Sequence, residues 1–312
     1  MPVKHVVMSC VIAPLLLVAG LAPAQPPRPW DVRQDVQYGE AKGQALLLDV
    51  YTPNGKNLNA VFKPGDQGKG RAIIDVISGG WNGSRARQEE HEKAGLFDVF
   101  CSRGYTVFAV RPGSLPDFNG LELVENVQRG VRWVKEHAAE HGVDPARIGM
   151  TGASAGGHLA LMSMVTAKEG DPAAADPVMR HGTAVKAVAV LFPPTDFLEW
   201  GDGGDPRALY EKAPTLLFSD GLEGKTREQM DEAAARLSPA RHVKPGMPPV
   251  LMVHGDTDPI VPLQQSQKME KMLKEQGNSA EVFVKKNGGH FWLTIPMEIV
   301  MITDWFDRRL SE

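Results

Sequence analysis

Residues 147–160 read Arg-Ile-Gly-Met-Thr-Gly-Ala-Ser-Ala-Gly-Gly-His-Leu-Ala. Ile148 to Thr151 is short and apolar, as a buried strand is, and a helical stretch runs on from His158 to Lys168. Between them, Gly152-Ala153-Ser154-Ala155-Gly156-Gly157 must turn the chain sharply from strand into helix. Such a turn needs small residues on both sides of the one it pushes outward, and glycine stands on both flanks. The residue pushed out is Ser154. The helix that follows points its free N–H groups at the same place, where they favour developing negative charge. A glycine-rich helix start carries little meaning alone; the strand before it and the helix after it make Ser154 a candidate nucleophile.

Outward from this unit the pattern repeats. Strands are expected at 35–39, 45–51, 72–77, 105–110, 147–151, 185–192, 250–253 and 280–284. The first two flank Gly43 and read as an antiparallel hairpin. Helices are expected at about 88–103, 121–141, 154–168, 263–275 and 296–309. Continuous apolar strands alternating with amphipathic helices belong to a parallel sheet covered on both faces. The expected architecture is α/β, with a mixed, mostly parallel eight-stranded sheet flanked by helices. One segment breaks the rhythm: more than fifty residues separate the sixth strand from the seventh, including Gly201-Asp202-Gly203-Gly204. A cap-like insertion at 195–240 is the expectation, either functional or an idle surface addition.

The chain's start reads as an export signal over residues 1–24: Lys4, an almost uncharged apolar run at 6–21, then Ala22-Pro23-Ala24. Pro14 and Pro23 interrupt the run, which argues against a membrane span. Residues 25–34 read as a leader, Pro-rich and poorly ordered over 25–29, ahead of one hydrolase-sized domain at 35–312. Cleavage after Ala24 removes one base and no acid, leaving 33 basic against 38 acidic side chains. That mild acidity excludes a nucleic-acid partner, which needs a basic face. Only Cys101 remains after cleavage, so no intramolecular disulfide can form. The expected location is periplasmic or extracellular.

A serine hydroxyl needs an adjacent base. The apolar strand Val250-Leu251-Met252-Val253 runs into His254-Gly255-Asp256-Thr257-Asp258-Pro259, and strand 280–284 runs into Asn287-Gly288-Gly289-His290. Both loops follow the carboxyl ends of strands, where open α/β sheets bind ligands. The order serine, acid, histidine is that of hydrolases on such sheets. His290 is the candidate base. Asp258 and Asp256 compete for the acid. His254 and His158 read as structural. No His/Cys/Glu spacing suggests a metal, and the chemistry needs neither metal nor organic cofactor.

These three motifs together resemble the α/β-hydrolase carboxylesterases close to the prolyl-oligopeptidase catalytic domain, and most of all the bacterial esterases related to feruloyl and acetylxylan esterases. The resemblance covers roughly residues 35–310. It implies the α/β-hydrolase fold and two-step acyl transfer from a small or polysaccharide-linked ester. By motif position it implies Asp258 as the acid and His290 as the base. It also implies an oxyanion hole from the N–H of Ala155 and a second donor, Gly79 or Gly80, in Ile77-Ser78-Gly79-Gly80-Trp81. That stretch is similar to the family's His-Gly-Gly-Gly-Trp, with Ile77 and Ser78 in place of the histidine and first glycine, so the usual loop anchor is missing. Trp81 and Trp292, with Phe291 and Trp200, are candidates for an acyl or aryl pocket. Two other functions share these motifs: a serine exopeptidase of prolyl-oligopeptidase type and a catalytically dead binding module. The exopeptidases have a propeller and a tyrosine after the nucleophile; here Ala155 follows it, and some ten residues separate the signal from the first strand.

Overall fold

The computed structural model describes residues 28–56, 68–201, 203–205 and 207–311. The expected signal at 1–24 and the start of the leader lie outside them. Eight strands form one sheet: β1 (Trp30–Ala41), β2 (Gln44–Pro53), β3 (Ala72–Val76), β4 (Thr106–Arg111), β5 (Ile148–Ala153), β6 (Ala187–Leu191), β7 (Val250–Gly255) and β8 (Ala280–Lys285). Their order is β1-β2-β4-β3-β5-β6-β7-β8. The β1–β2 and β2–β4 pairs are antiparallel and every later pair is parallel. The eight expected strands are thus present, and the hairpin stands at the antiparallel edge.

The central strands β3 and β6 are buried at every residue. Their apolar side chains feed two layers, one on each face of the sheet. One layer holds α3 (Gly120–Glu136), α4 (Ala155–Val165) and α7 (Gln264–Glu275). The other holds α2 (Leu96–Ser102) and α8 (Ile295–Arg309), with α1 (Arg85–Lys93) beside α2. The helix expected at 88–103 is two helices. Gly95 at φ +78° breaks it, a left-handed state that a helix interior cannot hold and glycine adopts readily. The expectation at 121–141 likewise divides into α3 and a short 3₁₀ turn, Ala138–His141.

The leader is shorter than expected. Residues 30–34 belong to β1. Arg28 pairs with Glu92 and Asp98, the Trp30 indole donates to Asp98, and Pro29 is buried. Local composition favours a loose start; the partners that order it lie more than sixty residues away.

The segment between β6 and β7 carries α5 (Arg207–Glu211), α6 (Arg227–Arg236) and a 3₁₀ turn, Pro239–Arg241. Tyr210, Leu216, Ala234 and Leu237 are buried in the same apolar layer as α3 and α4. Gly120, the first residue of α3, has no room for a side chain because Leu237 and Leu216 cover it. The insertion is therefore packed into the core rather than laid on the surface.

Candidate active site

Ser154 stands between β5 and α4 at φ +53° and ψ −122°, a strained backbone state for a residue with a side chain. Packing imposes it. A Cβ on Gly152 would lie 2.6 Å from the Gly156 carbonyl carbon, and one on Gly156 would lie 2.3 Å from the Val76 carbonyl oxygen. Both contacts are with backbone, so neither can be relieved by turning a side chain. The glycines let α4 start directly against β3 and β5, and Ser154 is lifted to the sheet's carboxyl edge.

Two loops from the far side of the sheet meet this serine. The segment after β7 is zipped to the segment after β8: Asp256 N–H donates to Lys285 O (3.1 Å), and Thr257 donates to Gly288 O through both N–H and hydroxyl (2.9 Å each). Gly255 lies so close to Gly288 O that a Cβ would meet it at 2.1 Å. This clamp brings in the Asp258 carboxylate, whose Oδ2 is 2.8 Å from His290 Nδ1, and His290 Nε2 is 3.0 Å from Ser154 Oγ. Asp256 is exposed. Of the two aspartates, Asp258 alone reaches His290.

The Asp258 side chain is fully buried. Burial pushes its carboxyl upward, but the His254 ring at 3.4 Å and the hydrogen bonds from His290 and the Val261 and Ile260 N–H groups hold it well below the usual carboxylate range. His254 is structural, as expected. Its Nε2–H donates to Val261 O (2.8 Å) and its Nδ1 accepts from the Ser266 hydroxyl (2.7 Å), which braces the acid loop. Asp258 is therefore ionised throughout the neutral range. It orients the imidazole of His290 so that Nε2 faces the serine hydroxyl.

The loop after β3 supplies the opposite wall. Gly79 N–H donates to Asn82 O (3.0 Å) and Asn82 N–H to Gly79 O (3.1 Å), so the Gly79 donor is already engaged. Gly80 and Trp81 take left-handed angles, φ +57° and +59°. The N–H groups of Gly80 and Ala155 have no partner among the described residues. Of Gly79 and Gly80, only Gly80 keeps an N–H without a partner among the described residues.

The anchor missing from this loop is supplied elsewhere. The Trp81 indole N–H donates to His158 Nδ1 (3.1 Å), and His158 Nε2–H donates to the Leu237 carbonyl (2.8 Å) in the insertion. His158 has no exposed surface, and burial pushes its ring down to about 4 against the opposing hydrogen bond to Leu237. It is a neutral ring in one tautomer, tying the loop to α4 and to the insertion. Ser78 O accepts from Gly156 N–H (2.9 Å), and Arg85, just past the loop, pairs with buried Asp49 (2.9 Å). Trp81 is consequently buried, 4% exposed, with its indole held by His158. Its pocket role is expected from nearness in sequence; the hydrogen bond to His158 turns it inward.

Trp292 is half-buried, donates to Glu298 (2.9 Å) and packs edge-on to Phe192, which holds it in the α8 layer. Phe291 stays 66% exposed beside the His290 ring. Trp200 stacks on Phe197 within the insertion. Two polar residues near the site belong to no motif in the sequence, Asp75 and His91, which bond across β3 and α1 at 2.8 Å. An aspartate within an otherwise apolar strand is the one signal that could have marked them.

The chain is 26% identical over 251 residues to LipM of Mycobacterium tuberculosis, named a probable carboxylic ester hydrolase, covering 80% of this chain and 54% of that protein. It spans about half the length of the curated relatives it matches. Among solved structures, a truncated carbohydrate esterase from gut microbiota superposes with a TM-score of 0.71 at 22% identity, over 92% of this chain and all of that one. An acetyl ester-xyloside bifunctional hydrolase from Caldicellulosiruptor lactoaceticus gives 0.69 at 20% identity, over 91% and 98%. The sheet order, the crossing helices and these superpositions make the fold that of the α/β-hydrolases. Residues 58–273, most of the chain, match the BD-FAE family, and with that match the chain belongs to the BD-FAE family.

Proposed function

We propose that the protein is a serine carboxylic-ester hydrolase in which Ser154 is the nucleophile, His290 the base and Asp258 the orienting carboxylate. The observation that carries this is the unbroken hydrogen-bond chain Asp258–His290–Ser154 at 2.8 and 3.0 Å. Ser154 Oγ attacks the ester carbonyl carbon while its proton passes to His290 Nε2. The carbonyl oxygen becomes an oxyanion received by the N–H groups of Gly80 and Ala155, and Asp258 stabilises the imidazolium. Collapse expels the alcohol, which takes the proton from Nε2. Water then attacks the acyl-serine, giving its proton to Nε2, and the second collapse returns that proton to Ser154 with release of the acid.

The names of the relatives and structural neighbours support short-chain acyl esters as the substrate class, including acetyl groups carried on a carbohydrate. An exported protein reaches such a substrate, and export itself is proposed on the segment 1–24; the amino-terminal residue of the protein recovered from the host tests it, with Gln25 expected.

The test of the activity is kcat/KM for p-nitrophenyl acetate, butyrate and octanoate, methyl ferulate and a glycyl-proline anilide. Ester hydrolysis lost by several orders of magnitude in Ser154→Ala, with an unshifted thermal transition, supports the reading. A serine-directed organophosphate should add its mass to the peptide containing Ser154. Full ester activity in Ser154→Ala overturns the assignment, and the anilide as best substrate replaces the esterase with a peptidase.

A further inference from the structure

In the layer between α1 and α8, below the nucleophile turn, lies a cavity of about 60 Å³. Its walls include His91 and Ala94 from α1, Ala153 from β5, Phe192 after β6, and Ile295 and Ile299 from α8. Ala153 immediately precedes Ser154, and the Phe192 ring lies 4.5 Å from the His290 ring, so two lining residues neighbour the serine and the histidine. Such space, at about 10–15 Å³ per solvent-sized atom, holds roughly four or five non-hydrogen atoms.

The lining is apolar but for Glu90 and His91. Glu90 is taken up by Arg87 at 2.7 Å. His91 is different. Its Nδ1 lies 2.8 Å from Asp75 Oδ2, its side chain is 12% exposed, and its Nε2 has no partner among the described residues. Behind it Asp75 is wholly buried in β3, with Oδ1 unpartnered, and Thr151 at the paired position of β5 also leaves its hydroxyl oxygen unpartnered. If the pair served only to tie α1 to the sheet, apolar side chains of similar volume would do so at no cost in buried charge. The arrangement instead puts an imidazole held at Nδ1, with no partner at Nε2 among the described residues, in the wall of a small, mostly apolar cavity.

We propose that this cavity is the acyl subsite and that His91, held by Asp75, is a specificity-determining residue that recognises a hydroxyl group on a short acyl chain. This rests on the ester-hydrolase reading given above. A hydroxyl suits the site in either state of the ring, because Nε2–H donates when the imidazole is protonated and Nε2 accepts when it is neutral. A purely apolar chain would leave Nε2 desolvated and unpaired, which costs discrimination against it. The acyl groups favoured are therefore hydroxy acids of about three to five carbons.

The experiment compares kcat/KM for p-nitrophenyl 3-hydroxybutyrate and its near-isostere p-nitrophenyl 3-methylbutyrate. The wild-type protein should favour the hydroxy ester by about tenfold or more, and His91→Phe should lower that ratio at least tenfold. Ala94→Leu, at a half-exposed position, fills the cavity from its rim and should lower the butyrate-to-acetate ratio about tenfold; it carries the test of the cavity if His91→Phe fails to fold. A wild-type protein that hydrolyses acetate without preferring the hydroxy ester, a preference retained in His91→Phe, or an unchanged chain-length ratio in Ala94→Leu overturns this inference alone. Failure on every ester overturns it together with the esterase reading.

Discussion

Replacing His158 with glutamine should flatten the acid limb of the stability curve. His158 has no exposed surface, accepts from Trp81 at Nδ1 and donates to Leu237 O at Nε2, so the folded protein holds it neutral. Its pKa is pushed from 6.5 to about 4 by burial. Between those values the unfolded chain binds a proton that the folded chain refuses, so stability rises with pH across the window and is lost as pH falls from 6.5 toward 4. At about 1.4 kcal/mol per pKa unit the loss is about 3 kcal/mol, or roughly 6–12 °C in Tm for a domain of this size. Glutamine can keep both hydrogen bonds, the amide oxygen accepting from Trp81 and the NH₂ group donating to Leu237, but it cannot titrate. Urea unfolding of both proteins at pH 7.5, 6, 5 and 4.5 measures the difference. Asp258 contributes equally to both: its depressed carboxyl adds stability above the usual carboxylate range and loses it only at lower pH. The wild-type curve should fall below that of the variant by most of 3 kcal/mol at pH 4.5, relative to their separation at pH 7.5. Parallel curves would refute the claim that a neutral, single-tautomer His158 ties the loop to the insertion.

Asp258→Asn should lower kcat far more than Asp256→Asn, approaching about 10⁴-fold, because only Asp258 reaches His290; equal losses in steady-state kinetics would return the acid to the exposed residue. Gly156→Ala should cost about 1–3 kcal/mol in denaturant unfolding and lower kcat as well, since its methyl group would press on Val76 O and push α4 away from the loop that holds Gly80; wild-type stability and kcat together would show that the turn tolerates the bulk.

Much of the framework is legible in the sequence because its signals are local. The alternation of apolar strands with helices, the hairpin at Gly43 and the glycines around Ser154 each express a constraint between residues a few positions apart. Departures at that level are also local conflicts won by backbone: Gly95 splits a stretch whose pattern suits one helix, because its left-handed angle ends α1. At 28–34 a loose composition is overruled by contacts with α1 and α2.

What the sequence by itself determined was the sheet, the turn at Ser154 and the order in which serine, acid and histidine follow one another. Only the tertiary structure sets Asp258 rather than Asp256 against His290, leaves the Gly80 N–H without a partner among the described residues, and buries Trp81 against His158. It also disclosed that His158 replaces the missing loop histidine and that Asp75 meets His91. The physical reason is distance along the chain. His290 and Ser154 are 136 residues apart, His158 and Leu237 are 79, and Trp81 and His158 are 77. Which hydrogen-bonding atom faces which, across such separations, depends on the sheet order and on how closely glycines let the loops approach, and no local pattern carries that information.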